Sequence, residues 1–282
     1  MREGKPSQTA ALVALLRALA NLGLTHVPGF ADPTAEQLLP SAWSFLFEHL
    51  KRRYQQSPGR KGWQQAKRAG DILALRTVTI DAHLRDALNR GIRQLVILGA
   101  GLDGRAYRLA SLAATDVFEV DHPATQQWKR ERAAALKPLA KALHFVPVNF
   151  ERDSLEIALQ KAGQALNQPS VWIWEGVVMY LTDAAMRATL CVIATRSAPG
   201  SVLIIQYNTR GRGASGTSLL LRLWGEPQRA PRSQAAMEGE LTRVGYRVIV
   251  DSSLSDWSVR FGTPVAVDPS QGARIVVAER TA

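Results

Sequence analysis

The stretch LVILGAGLDGRAYRL, Leu95 to Leu109, decides how the rest of the chain is read. Four apolar residues run into Gly99, Gly101 and Gly104 at G-x-G-x-x-G spacing, and a helix-forming segment follows. That order predicts a buried strand, a tight turn and a helix. Glycine lets the backbone turn sharply and approach a ligand that a Cβ would keep away. FEVDHP (Phe118 to Pro123) then brings Glu119 and Asp121 to the end of the next strand-like run. A carboxylate about twenty residues after the turn is placed to hold ribose hydroxyls. A nucleoside-binding cleft follows, and the glycine pattern leaves NAD(P) and S-adenosylmethionine both open.

Outward from this turn, β-rich runs alternate with helical ones. QLVILG, DVFEVD, LHFVPVNF, SVWIWEG and SVLIIQYN read as strands. RAYRLASLAA, ATQQWKRERAAALKPLAKA, LEIALQKAG and DAAMRATLCVIATRSA read as helices. The alternation predicts parallel βαβ units in a doubly wound α/β sheet. After a Gly/Arg/Ser-rich stretch, NTRGRGASGTS, expected as an exposed loop, comes a helix, SQAAMEGELTRVG. YRVIVD and ARIVVAER follow with no evident helix between them and read as a terminal antiparallel pair. Upstream, residues 1–91 read as helical, in the segments Leu12–Leu22, SAWSFLFEHLKRRY and ALRTVTIDAHLRDALNRG. The expected organisation is a helical cap over 1–91 and a cofactor domain over 92–282, forming one structural unit.

Composition limits the function classes. With 282 residues and 46% hydrophobic content, the chain can bury a large core. Lys and Arg number 35 against 24 acidic residues, a formal charge of +11 that suits an anionic substrate, a nucleic acid or a plain solvated face. The densest basic cluster, Lys51 to Arg68, interleaves Tyr54 and Trp63 and is expected to coat a helix exterior. A single cysteine, Cys191, excludes an intrachain disulfide and a cysteine-pair zinc site, and fits a reducing cytoplasm. Ala18-Leu19-Ala20 looks like a leader cleavage site. Arg17 interrupts the apolar run before it, however, and the leucines fall at helical spacing, so an amphipathic helix is expected. No run is long enough to span a membrane.

Three features favour S-adenosylmethionine over NAD(P). Helices precede the glycine turn and an antiparallel finish follows the parallel strands. Asp103 inside the turn would repel a pyrophosphate, whereas it would attract a methionine ammonium. Glu175, at the end of the fourth strand, adds a second carboxylate that a cationic sulfonium tolerates.

LGAGLDGRAYRL, FEVDHP and WIWEGVVMYLT, in this order, resemble the leucine carboxyl methyltransferase family and its bacterial small-molecule O-methyltransferase relatives. SQTAALVALLRA and FADPTAEQLLP resemble the opening of those relatives. The resemblance implies a class I methyltransferase fold, Rossmann-like, with a seven-stranded sheet whose last strand is antiparallel and an N-terminal helical cap. It also implies S-adenosyl-L-methionine as cofactor, with Arg76 on its carboxylate, Gly99 and Gly101 backing it and Asp121 on the ribose. Asn149 and Phe150 would flank the adenine, and Glu175 would lie beside the methionine part. Tyr180 is a candidate on the acceptor side. Two departures stand out: Asn149 where the family usually has Asp, and GLDGR for the common GLDTR, which is expected to remove a hydroxyl beside the cofactor.

The expected partner is a small-molecule methyl acceptor, anionic in the preferred reading. The five histidines show no paired spacing, and His122 reads as a loop residue. A carboxylate acceptor is already ionised and needs no general base, whereas a phenol or alcohol does. Carboxyl methylation is therefore favoured over hydroxyl methylation. The competing readings are an NAD(P)-dependent oxidoreductase and a nucleic-acid methyltransferase, the latter weakened because EGVVMY stands where an Asn-Pro-Pro-Tyr-like run would be expected.

Overall fold

The computed structural model describes residues 7–150, 152–209, 231–263 and 272–281. Its centre is β1 (Gln94–Leu98), buried at every position. A strand with both faces covered must be apolar throughout, which is why LVIL shows no alternation. β2 (Asp116–Asp121) and β3 (Ala142–Pro147) extend the sheet on one side, and β4 (Ser170–Trp174) and β5 (Val202–Asn208) on the other, all parallel. β7 (Ala273–Arg280) inserts antiparallel between β5 and β6 (Tyr246–Ser253), giving the order β3-β2-β1-β4-β5-β7-β6. The order reverses direction at β1 and β4, so their carboxyl ends open a crevice at the topological switch point.

One face of the sheet is covered by α1 (Gln8–Asn21), α4 (Trp63–Asn89) and α10 (Leu254–Arg260). Their buried side chains, among them Leu15, Leu75, Leu84 and Trp257, join Leu95, Ile97, Ile173 and Ile204 in one continuous core. The opposite face packs Trp172, Trp174 and Leu203 against α7 (Leu155–Lys161), α8 (Asp183–Thr195) and α9 (Gln234–Arg243). The N-terminal helices α1, α2 (Thr34–Gln37) and α3 (Ser41–Gln56) thus share their core with the sheet. No helix among the described residues is long and apolar enough to cross a membrane.

Several local expectations need correction. The helix expected from Ala124 to Ala142 runs only over α6 (Pro123–Arg132). Pro138 disfavours helix at the residue before it, and the Leu139 and Ala140 amides donate instead to Ala106 O. The helix expected at Arg105–Ala114 is one turn, α5 (Arg105–Arg108), followed by a 3-10 turn at Ala110–Leu112; buried Leu109 between them is extended. The two late strands are joined through α10, started by a capping box in which Ser253 and Asp256 satisfy each other's backbone N–H. The pattern SLSD, ahead of Trp257, is its sequence signal. The stretch 25–40 read as a break contains α2 and the fully buried Asp32. Most of NTRGRGASGTS lies outside the described residues. In the basic cluster, Tyr54 and Trp63 meet edge to face at 5.5 Å, and each donates to a backbone carbonyl of this chain.

Candidate active site

A cavity of about 670 Å³ opens at the carboxyl ends of β1 and β4. Its lining includes Arg76, Gly99, Gly101, Asp121, Asn149, Phe150, Glu175 and Tyr180, the eight residues singled out in the sequence. α1 contributes Thr9, Ala10, Val13 and Arg17 to the wall.

The glycines do different jobs. Gly99 has φ +67°, and a Cβ there would sit 2.2 Å from Val177 Cγ2. Gly101 has φ +49°, and its added Cβ would meet Ala10 at 3.1 Å. Both positions therefore suit glycine on backbone and packing grounds. Gly104 does not line the cavity. Its Cβ would strike Thr34 Oγ1 at 2.0 Å and approach Asp32 Oδ1 to 3.2 Å. The departure from GLDTR thus faces the cap, and the expected loss of a hydroxyl beside the cofactor is corrected: the space is filled by the hydroxyl of Thr34, which donates to Asp32.

Asp121 closes the turn. Its Oδ2 accepts from Gly101 N at 2.5 Å and its Oδ1 from His122 N at 2.6 Å. Burial pushes its carboxyl up, while these two hydrogen bonds act in the opposite direction. Each oxygen keeps a further lone pair for a ligand hydroxyl. Glu119, the other acid of FEVDHP, is fully buried outside the cavity and ion-paired to Lys129; burial raises its carboxyl to about 7. His122 caps α6, its Nδ1 accepting from Ala124 N at 3.3 Å. Asn149 opens a turn, with its N–H on Asp153 and its carbonyl accepting from Arg152 and Asp153.

The sequence reading missed the charge network behind this wall. Glu175 is held on both oxygens, by Arg76 Nε at 2.7 Å and Arg105 Nη1 at 2.9 Å. Arg105 also meets Asp81 at 2.7 Å and Asp103. Arg108 takes the other oxygen of Asp81 at 2.7 Å and lies 3.9 Å from Asp32, which in turn lies 3.5 Å from Arg17. Four guanidiniums and four carboxylates so join α1, the loop before α2, α4, the glycine turn and the end of β4. Burial raises the carboxyls of Asp103 and Glu175, but the arginines around them win and hold both below the usual range. Asp103 therefore enters the cavity already paired, which weakens the repulsion argued for it from sequence. The alternation of Arg17, Asp32, Asp81, Arg105 and Arg108 has no sequence periodicity, since its members come from four separate segments. Charged residues inside apolar helical runs, such as Arg17 and Asp81, are the signal that could have flagged it.

The fold matches that of a DUF574 family protein from Streptomyces avermitilis, with a TM-score of 0.61 over 95% of this chain and 96% of that one at 14% identity. A Mycolicibacterium paratuberculosis protein named "Putative S-adenosyl-L-methionine-dependent methyltransferase" is 36% identical over 217 residues, 76% of this chain and 69% of its own length. A protein of the same name from Mycobacteroides abscessus is 31% identical over 280 residues, covering 94% of this chain and 87% of that one. With a cleft of this build, the chain is an S-adenosylmethionine-dependent methyltransferase, and the choice left open by the glycine pattern falls against NAD(P). It belongs to the leucine carboxyl methyltransferase family, whose model matches residues 10–194.

Proposed function

We propose that this enzyme methylates an oxygen of a small molecule, with a carboxylate the preferred acceptor. The observation that carries this reading is the state of the cavity's acids. Asp103 and Glu175 are committed to arginines and held ionised, and Asp121 is committed to two backbone amides. A general base works best when poised near neutral pH; Asp103 and Glu175 are held below the usual carboxylate range, and Asp121 already accepts from two N–H groups. An acceptor that is already ionised asks for no proton removal.

The residues fit the cofactor. Thr9 Oγ1, on the lining, is buried without a hydrogen-bond partner among the described residues and can accept or donate to a ligand. In this reading Arg76 holds the cofactor carboxylate, Gly99 and Gly101 let the backbone approach and Asp121 takes the ribose. Asn149 and Phe150 flank the adenine, Glu175 faces the methionine part and Tyr180 borders the acceptor. The cofactor when bound supplies an activated methyl group. The chain's own part is to orient the acceptor oxygen and exclude water under α1. A volume of about 670 Å³ accommodates a cofactor of this size with a small acceptor.

The test is a screen with methyl-labelled cofactor over carboxylic acids, phenols and peptides, followed by mild alkali. Methyl esters release the label as volatile methanol, and ethers do not. Alkali-labile label on a carboxylic acid is expected. Alkali-stable label on phenols alone would overturn the carboxylate preference.

A further inference from the structure

We infer that Arg105 is a positioning residue for cofactor binding: it fixes Glu175 and Asp103 at the cavity wall and ties them through Asp81 to the helical cap. Arg105 is 1% exposed and touches no cavity space of its own, since it is absent from the lining. Its guanidinium instead gathers carboxylates from three elements: Asp81 of α4, Asp103 of the glycine turn and Glu175 at the end of β4. It is the cation these three acids share. Without it they would stand together in a poorly solvated site, where like charges disfavour ionisation. The backbone N–H of Arg105 also donates to Asp103 Oδ1 at 2.7 Å, so one residue holds that side chain twice.

Arg105 differs in this from its neighbours. Arg76 also holds Glu175, but it lines the cavity and is the group read as meeting the cofactor carboxylate. Arg108 holds Asp81 and lies near Asp32, and has no contact with Glu175 or Asp103. Arg108 therefore secures the cap, whereas Arg105 links the cap to the ligand-facing acids. The charges acting on Glu175 are Arg76 from α4, Arg105 and Asp103 from the turn, and Arg17 from α1. Those acting on Asp103 are Arg105, Lys129 and Arg17. Arg105 is the cation paired with Asp103, and it shares Glu175 with Arg76.

The inference rests on the reading that Glu175 faces the cofactor, and the experiment separates the two. Affinity for S-adenosylhomocysteine is measured by calorimetry between pH 5.5 and 8 on the full chain and on Arg105→Gln, Arg108→Gln and Glu175→Gln. In the wild type Asp81, Asp103 and Glu175 stay ionised across this range, and its profile is the reference. In Arg105→Gln the carboxyl of Glu175 titrates at higher pH, and affinity falls at least tenfold further from pH 8 to 5.5 than it does in the wild type. Arg108→Gln loses thermal stability but keeps the wild-type profile. A folded Arg105→Gln with the wild-type profile, or the same extra slope in Arg108→Gln, overturns the inference. Unchanged affinity in Glu175→Gln instead overturns the reading of Glu175. Should Arg105→Gln not fold, Arg105→Lys decides. It keeps the charge but cannot reach three acids, so a three- to tenfold weaker affinity at pH 7 is expected, and wild-type affinity overturns the inference.

Discussion

Replacing Asp121 by Asn changes few atoms and removes two things at once. In the wild type each carboxylate oxygen accepts one backbone N–H, from Gly101 and from His122. An Asn amide offers one acceptor oxygen and one donor group, so whichever way it turns, one of the two N–H groups faces a donor. Leaving a backbone donor unsatisfied costs about 1–3 kcal/mol, and the unliganded variant should melt at a lower temperature. The ribose contact also changes from charge-assisted to neutral, worth about 1–2 kcal/mol, or roughly 5- to 30-fold in Kd. Asp121→Ala should lose more, because both N–H groups are then orphaned. The assay is calorimetric titration with S-adenosylhomocysteine, paired with thermal melting of the unliganded proteins at the same pH. A folded Asp121→Asn that binds within twofold of wild type and melts unchanged would refute both the ribose role and the account of the turn.

Other consequences can be checked in parallel. Arg76→Lys should weaken S-adenosylmethionine binding while leaving decarboxylated cofactor almost unaffected, because lysine cannot reproduce a two-point grip; equal losses for both would rule out the clamp. Gly104→Ala should destabilise by about 1–3 kcal/mol by collision with Thr34, and adding Thr34→Ala should recover part of the loss, as read from melting curves. Lys129→Met leaves Glu119 buried and unpaired and should cost about 3–5 kcal/mol at pH 8. Burial raises the Glu119 carboxyl to about 7 while Lys129 lowers it, so losing Lys129 moves it higher still; the destabilisation should shrink as the pH falls toward about 7 and level off below it. Adding Glu119→Gln should restore most of the stability at pH 8.

The parts legible in the sequence are those written locally. The apolar run Leu95–Leu98, the glycine spacing and the acid at Asp121 lie within one βαβ unit, so turn chemistry and strand period reveal them together. The cavity wall was legible because Arg76, Asn149, Phe150, Glu175 and Tyr180 sit in recognisable motifs. The ion network was not, because Arg17, Asp32, Asp81 and Arg105 meet only after α1 and α4 fold onto the sheet. Position 104 shows the same limit: its neighbour Thr34 is seventy residues away in the chain (104 − 34 = 70), so the sequence placed its missing side chain toward the cofactor rather than the cap. α10 was readable in principle from SLSD but was masked by the β-rich runs on either side.

The most direct test of the assigned site is a crystal structure of the full chain with S-adenosylhomocysteine. The ribose hydroxyls are expected on Asp121, the adenine between Asn149 and Phe150, and the ligand carboxylate on Arg76, with Glu175 still held by Arg105. A ligand bound away from the glycine turn, or one whose carboxylate leaves Arg76 free while its ribose meets no acid, would contradict the account.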